Sequence, residues 1–158
     1  MRRLPLVLAL ALLLALPALG AATLYRNARY GFQIQVPDGF VAGQAPANED
    51  GRTFRQAGGR AELLVWGWNN VLDEGLAEAL ARAKEDAGRP IAFESQGRNW
   101  YVLSWTDGVQ IVYQKAFLGP GSGAAFRLTY PLARKSVFDA IVTRLEKSFR
   151  PGDLARSH

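Results

Sequence analysis

Residues 30–36 alternate strictly: Tyr30, Phe32, Ile34 and Val36 fall on one face, Gln33 and Gln35 on the other. A period of two with one apolar face predicts a half-buried strand, and Pro37-Asp38-Gly39 ends it as a turn. Residues 40–50 are polar and irregular. Asp50-Gly51 reads as a hairpin turn into a short strand over 52–56, and Gly58-Gly59 as the next turn. Residues 61–68 carry Leu64, Trp66 and Trp68 on one face and Leu63 and Val65 on the other. Apolar residues on both faces suit a central strand.

The period then changes. Leu76, Ala79, Leu80, Ala83 and Ala87 recur at helical spacing. Asp73 is the expected N-cap, with Glu74 near the positive end of the helix dipole. Gly75 weakens the first turn by about 1 kcal/mol relative to Ala, and Gly88 and Pro90 stop the helix. Segments 91–95, 100–105, 109–118 and 124–130 read as four more strands, and connections this short favour antiparallel neighbours. After Pro131 a helix over 133–149 presents Phe138, Ile141, Val142, Leu145 and Phe149 as its apolar stripe. The order β-β-β-α-β-β-β-β-α predicts an α+β fold, an antiparallel β-sheet packed with two main helices.

The first 22 residues stand apart from this pattern. Arg2 and Arg3 precede an apolar run over 4–16, Pro17 breaks it, and Ala18-Leu19-Gly20-Ala21-Ala22 offers the small residues of a signal-peptidase site. The apolar run falls short of the roughly 20 residues that span a bilayer. A cleaved signal peptide is therefore expected over 1–22, cut after Gly20 or Ala22, leaving a mature form that is not membrane-spanning. A single domain is expected over 23–152 and a disordered tail over 153–158. The expected location is periplasmic or extracellular, and without a Cys after the leader there is no lipoprotein anchor.

Composition narrows the chemistry. The chain has no Cys and one Met, Met1, so thiol catalysis, disulfides and thiolate metal sites are excluded. Its net charge of +5 includes Arg2 and Arg3, and the remaining basic residues are scattered rather than run together. No specific nucleic-acid binding is expected from such a pattern. His158 is the only His, which argues against a His-dependent triad or a His-rich zinc site. Asn48-Glu49-Asp50-Gly51 lacks the spaced oxygen ligands of a calcium loop. Asp73-Glu74 and Glu85-Asp86 are adjacent on a helix and do not face each other. Gly119-Pro120-Gly121-Ser122-Gly123 joins two strands and lacks the Gly-Lys-Ser/Thr ending of a phosphate loop, and Ser104 has no nucleophile elbow. No catalytic residue, cofactor or metal site is assigned.

The aromatic residues remain. Trp66 and Trp68 share one strand face and Tyr101 and Trp105 share another, with Trp100 pointing the opposite way. Large aromatics dominate cores, which is the first reading. The other is an aromatic patch left open beside Arg, which suits a protein or peptide partner.

Two segments resemble a known family. Tyr25-Arg26-Asn27, then Tyr30 through Phe40 with its Gly-Phe and Pro-Asp-Gly-Phe, resembles the opening of PsbP-type domains. Tyr130-Pro131, then Phe138-Asp139-Ala140-Ile141-Val142 and Ser148-Phe149, resembles their closing helix, and Asn99-Trp100-Tyr101-Val102-Leu103-Ser104 a hairpin of small exported bacterial proteins. The resemblance implies a Mog1/PsbP-like sandwich with the sheet between helices. Some members of that superfamily assist photosystem assembly and others bind a small GTPase, but neither role transfers with the fold. The expectation is a non-enzymatic exported binding or accessory module of the cell envelope, with an envelope protein or peptide as partner. The rivals are a carboxylate- or Ser-based hydrolase assembled from distant residues, and a weak binder of polyanions or anionic lipid.

Overall fold

The computed structural model describes residues 23–158, and the expected signal peptide lies outside the described residues. The chain runs β1 (Thr23–Arg26), β2 (Gln33–Val36), β3 (Phe40–Ala42), β4 (Gly51–Gln56), β5 (Glu62–Asn69), α1 (Leu76–Ala87), β6 (Ile91–Gln96), β7 (Trp100–Thr106), β8 (Gln110–Leu118) and β9 (Ser122–Pro131). A single 3-10 turn, Leu132–Arg134, leads into α2 (Lys135–Ser148). Strands β1 and β2 form a small antiparallel sheet of their own. The other seven form one sheet in the order β3-β4-β5-β9-β8-β7-β6, every pair antiparallel.

The alternation along each strand sorts the core into two layers. One face of the large sheet, with Leu63, Val65, Phe126 and Leu128, packs against Phe32, Ile34 and Val36 of the first hairpin and Phe138, Leu145 and Phe149 from the last helix. The opposite face, with Tyr101, Leu103, Trp105, Ala116 and Ala125, packs against Ala79 and Leu80 of α1. The two expected helices therefore lie on opposite faces, making the α+β sandwich anticipated from the element order. Among the described residues no helix is long and apolar enough to cross a membrane.

Four local expectations are corrected. The strand expected over 30–36 is paired only at Gln33–Val36; Tyr30 and Phe32 are buried all the same, held by a turn in which Tyr30 N donates to Asn27 Oδ1 at 2.7 Å. The short, mostly exposed β1 and β3 carry too few alternating residues to be read beforehand. Asp50-Gly51 is not a hairpin turn: Gly51 begins β4 opposite Trp66, where a Cβ would stand 2.2 Å from Val65 O. Close approach of two backbones, rather than turn geometry, explains that glycine. Asp73 is not the N-cap of α1. It sits at φ 50° in the turn before it, and Gly75 occupies the cap position. Asn70 has taken over the ordering of this loop, as its Oδ1 accepts from Glu74 N at 2.9 Å.

The tail expected to be disordered is seated instead. Gly121 N and Ser122 N both donate to Leu154 O, and His158 N donates to Asn69 Oδ1 at 2.8 Å. Those backbone groups at the start of β9 lie beyond the reach of β8, and the tail supplies their partners.

The turn between β7 and β8 carries a pH signature. Gln110 N and Val109 N donate to Asp107 Oδ1 at 2.7 and 2.9 Å. These bonds, the one from Gln110 first, hold the Asp107 carboxyl below its ordinary value of 3.8. With a folded-state pKa below the unfolded one, the contribution to stability is complete above 3.8 and is lost as pH falls through the lower folded value. Acid titration followed at the Val109 and Gln110 amides should show its midpoint below 3.8; a midpoint at or above that value contradicts the capped turn.

Candidate binding site

Directly opposed residues of antiparallel strands share a face. The face toward α1 therefore carries Trp66 and Trp68 on β5, Ala125 and Arg127 on β9, Gln114 and Ala116 on β8, and Tyr101, Leu103 and Trp105 on β7. All four aromatics singled out from the sequence meet on this one face. Tyr101 and Trp105 are core there, at 5% and 7% exposed. Trp66 and Trp68 are only half-buried and line an open niche. Trp100 points to the other face, with Lys115 Nζ 4.9 Å from its ring centroid.

Trp68 owes its place to Gly123, its cross-strand partner on β9. A Cβ at that position would stand 2.2 Å from the indole, so the ring occupies the space a side chain would need. The Trp66 and Trp68 rings lie 6.4 Å apart, tilted by 34°.

Arg127 stands at the centre of the niche. Strand alternation turns it toward α1 from the middle of the sheet, where it is half-buried. Its Nε donates to Gln114 Oε1 at 2.8 Å, and Gln114, 4% exposed, donates Nε2 to the Tyr101 hydroxyl at 3.4 Å. The guanidinium carbon is 5.7 Å from the ring centroids of both Trp66 and Trp105, within cation–π range. Among the described residues Arg127 has no ion-pair partner. No buried side-chain nitrogen among them lacks a hydrogen bond, so the Arg127 terminal nitrogens, which have none, are not fully buried.

Helix α1 forms the rim. Ala79 and Ala83 leave a space of about 210 Å³ between helix and sheet, and Arg82 and Asp86 edge it. Arg82 is paired with Glu74. Among the described residues Asp86 forms no ion pair, although its charge reaches Arg127. Burial lowers the Arg127 pKa, partly offset by Asp86 and Tyr101, yet a guanidinium remains charged at neutral pH. Burial raises the Tyr101 phenol, against a smaller opposing effect of the Gln114 hydrogen bond. Beyond Trp66 the surface continues into a second hollow of about 560 Å³, lined by Pro46, Arg52, Thr53 and Leu64. This face therefore sets a half-buried cation beside half-buried aromatic rings.

The opposite face has a hollow of its own, about 570 Å³, between α2 and β6–β9, with Phe93, Ile111, Tyr130 and Val142 in its lining. Its charges are internally paired: Lys135 Nζ lies 2.8 Å from Asp139 Oδ1. Ser104, which also lines it, donates its hydroxyl to Val112 O at 3.0 Å. Nearby, Tyr113 donates to Glu146 Oε1 at 2.8 Å, and burial and that carboxylate push its phenol well up.

The other groups weighed in the sequence are dispersed. Glu74 is engaged by Arg82, Asp50 Oδ2 accepts from Asn48 Nδ2 at 2.8 Å, and the His158 ring packs edge-on to Tyr30 at 5.1 Å. Among the described residues no group of three or more His, Asp or Glu is placed to hold a metal. Sequence reading missed Arg127 and Gln114. The signal was present in the alternations Val112-Gln114-Ala116 and Ala125-Arg127-Thr129, where a polar residue interrupts an inward-facing series on each of two neighbouring strands.

A sheet with α1 on one face, and α2 with an added hairpin on the other, is a PsbP-like α+β sandwich. The chain is similar to the solution structure of cyanobacterial PsbP (CyanoP) from Synechocystis sp. PCC 6803, with a TM-score of 0.62 and 16% sequence identity over 88% of this chain and 98% of that one. At that identity the likeness establishes the fold. No family model matches the chain, and no curated protein matches it by sequence. The residues behind the resemblance are structural: Asn27 braces its turn by donating to Glu49 O at 2.8 Å, and Phe32 and Phe149 are fully buried.

Proposed function

We propose that this protein is a non-enzymatic accessory module, exported to the cell envelope, that binds a partner protein through the α1 face of its sheet. The observation that carries the reading is the unpaired Arg127 guanidinium set between Trp66 and Trp105, with half-buried Trp66 and Trp68 around it. Tryptophan and arginine in a partly desolvated site are the residues that most often dominate the energy of protein–protein contacts. Export is supported by the Arg2-Arg3 leader and the small residues before Thr23. A hydrolase finds less support. Ser104 donates to a backbone carbonyl, and the carboxylates nearest the niche, Glu74 and Asp86, project from helix α1 or the loop before it rather than converging on a nucleophile.

The test is capture from an envelope extract by the purified protein and by Trp68→Ser. We expect one protein retained by the parent and reduced about tenfold or more by the substitution, as for an interface anchor. Equal retention by both, or no specific retention by the parent, would count against docking on this face.

A further inference from the structure

Resting on that reading, we infer that the Arg127 niche takes an acidic side chain, a glutamate or aspartate presented by an extended segment of the partner. The donor inventory leads there. Arg127 has five N–H donors in a planar fork. Gln114 holds Nε, which leaves the terminal edge formed by Nη1 and Nη2 to meet a ligand. That edge matches the two oxygens of a carboxylate, the geometry of the strong bidentate pair. Gln114 in turn donates to Tyr101, so the guanidinium is held at Nε before any ligand arrives. A preset donor loses less freedom on binding.

The walls set what the carboxylate is attached to. Trp66 and Trp105 flank the guanidinium and Trp68 stands next to Trp66. Trp105 is core, so a short aliphatic stem lies against the half-buried Trp66 and Trp68 while its carboxylate reaches Arg127. A chain-terminal carboxylate is the poorer match. Terminal carboxylates are captured by clusters of free backbone N–H groups, whereas the backbone flanking Arg127 is engaged in the β5–β9 and β8–β9 ladders. The space of about 210 Å³ suits one side chain rather than a folded element.

The charges around Arg127 are of both signs. Arg82 is neutralised by Glu74, and Asp86 on the rim forms no ion pair with Arg127, although its charge reaches it. Asp86 therefore opposes an incoming carboxylate, and its removal should strengthen binding. That is a sign a merely structural arginine would not give.

The probe is N-acetyl-Leu-Glu-Leu-amide, titrated into the purified protein while the Arg127 Nε–Hε resonance and tryptophan fluorescence are recorded. We expect a saturable shift of that resonance with a concurrent fluorescence change. The Gln analogue should bind about tenfold or more weaker, in keeping with loss of a charge-assisted pair. Arg127→Gln should abolish the response, and Asp86→Asn, an exposed helix position that leaves the core intact, should tighten binding severalfold. The inference is overturned if the Glu and Gln peptides bind alike, if no saturation occurs at millimolar peptide, or if Asp86→Asn leaves affinity unchanged. It is also overturned if N-acetyl-Leu-Gln-Leu with a free terminus binds as well as the Glu peptide. Should peptide binding fail while Trp68-dependent capture persists, docking on this face stands and only its acidic specificity falls.

Discussion

Truncating Phe149 to Ala should destabilise the protein by about 3–5 kcal/mol, the cost of deleting a fully buried ring from a core that cannot close over the gap. Phe149 is 0% exposed, and its ring lies 5.2 Å from Phe126, 5.6 Å from Phe117 and 6.4 Å from Phe32. It thus joins the end of α2 to β8, β9 and the turn before β2. For a domain of this size the loss corresponds to a fall of roughly 10–20 °C in Tm. Val137→Ala, at an exposed position of the same helix, should change stability by no more than about 0.5 kcal/mol. Denaturant unfolding of both variants decides the matter, and a Phe149→Ala loss no larger than that of Val137→Ala contradicts the packing of the last helix.

Asn70→Ala should have the second largest effect, about 2–4 kcal/mol, through unpaired polar groups rather than a cavity. The Asn70 side chain accepts from Glu74 N at 2.9 Å and donates to Glu74 O at 3.0 Å and Gly119 O at 3.1 Å. Each partner left buried without a hydrogen bond costs about 1–3 kcal/mol, with solvent satisfying part of the set. Glu74 also holds Arg82 on the rim of the niche, so loosening this loop reaches the candidate site. The expected result is a lower unfolding midpoint together with faster amide exchange over α1. A stability loss with α1 exchange unchanged would show that Asn70 does not position the helix.

The fold was legible wherever one period ran long enough. The stripe Phe138–Leu145–Phe149 read correctly, and the alternation at Tyr30, Phe32, Ile34 and Val36 gave the buried side chains though not the start of the strand, because burial imposes a simple period on strands and helices. Short edge elements such as β3 carry no such signal, since an exposed strand need not alternate. Two residues misled through their local chemistry. Asp73 has N-cap chemistry but lies in the left-handed region before Gly75. Gly51 has turn chemistry but serves a close crossing of backbones opposite Trp66. Both depend on partners distant in the chain or on backbone dihedrals, which a local pattern does not encode.

The candidate site was half legible. The four aromatics were readable as a group, and the structure divides them: Tyr101 and Trp105 are core, while Trp66 and Trp68 line the opening. Arg127 was hidden because its meaning depends on register. Only the pairing of Arg127 with Gln114 across β8 and β9, and of Leu64 with Arg127 across β5 and β9, sets the cation beside Trp66. No spacing along the sequence contains that contact.

The most direct measurement is photocrosslinking in the intact envelope with a photoreactive phenylalanine at Trp68 and, in a parallel chain, at Phe93 on the opposite face. Docking on the α1 face predicts a discrete adduct from position 68 that disappears when Arg127→Gln is added, and none from position 93. An adduct from position 93 alone, or one from position 68 that persists in Arg127→Gln, would contradict the account.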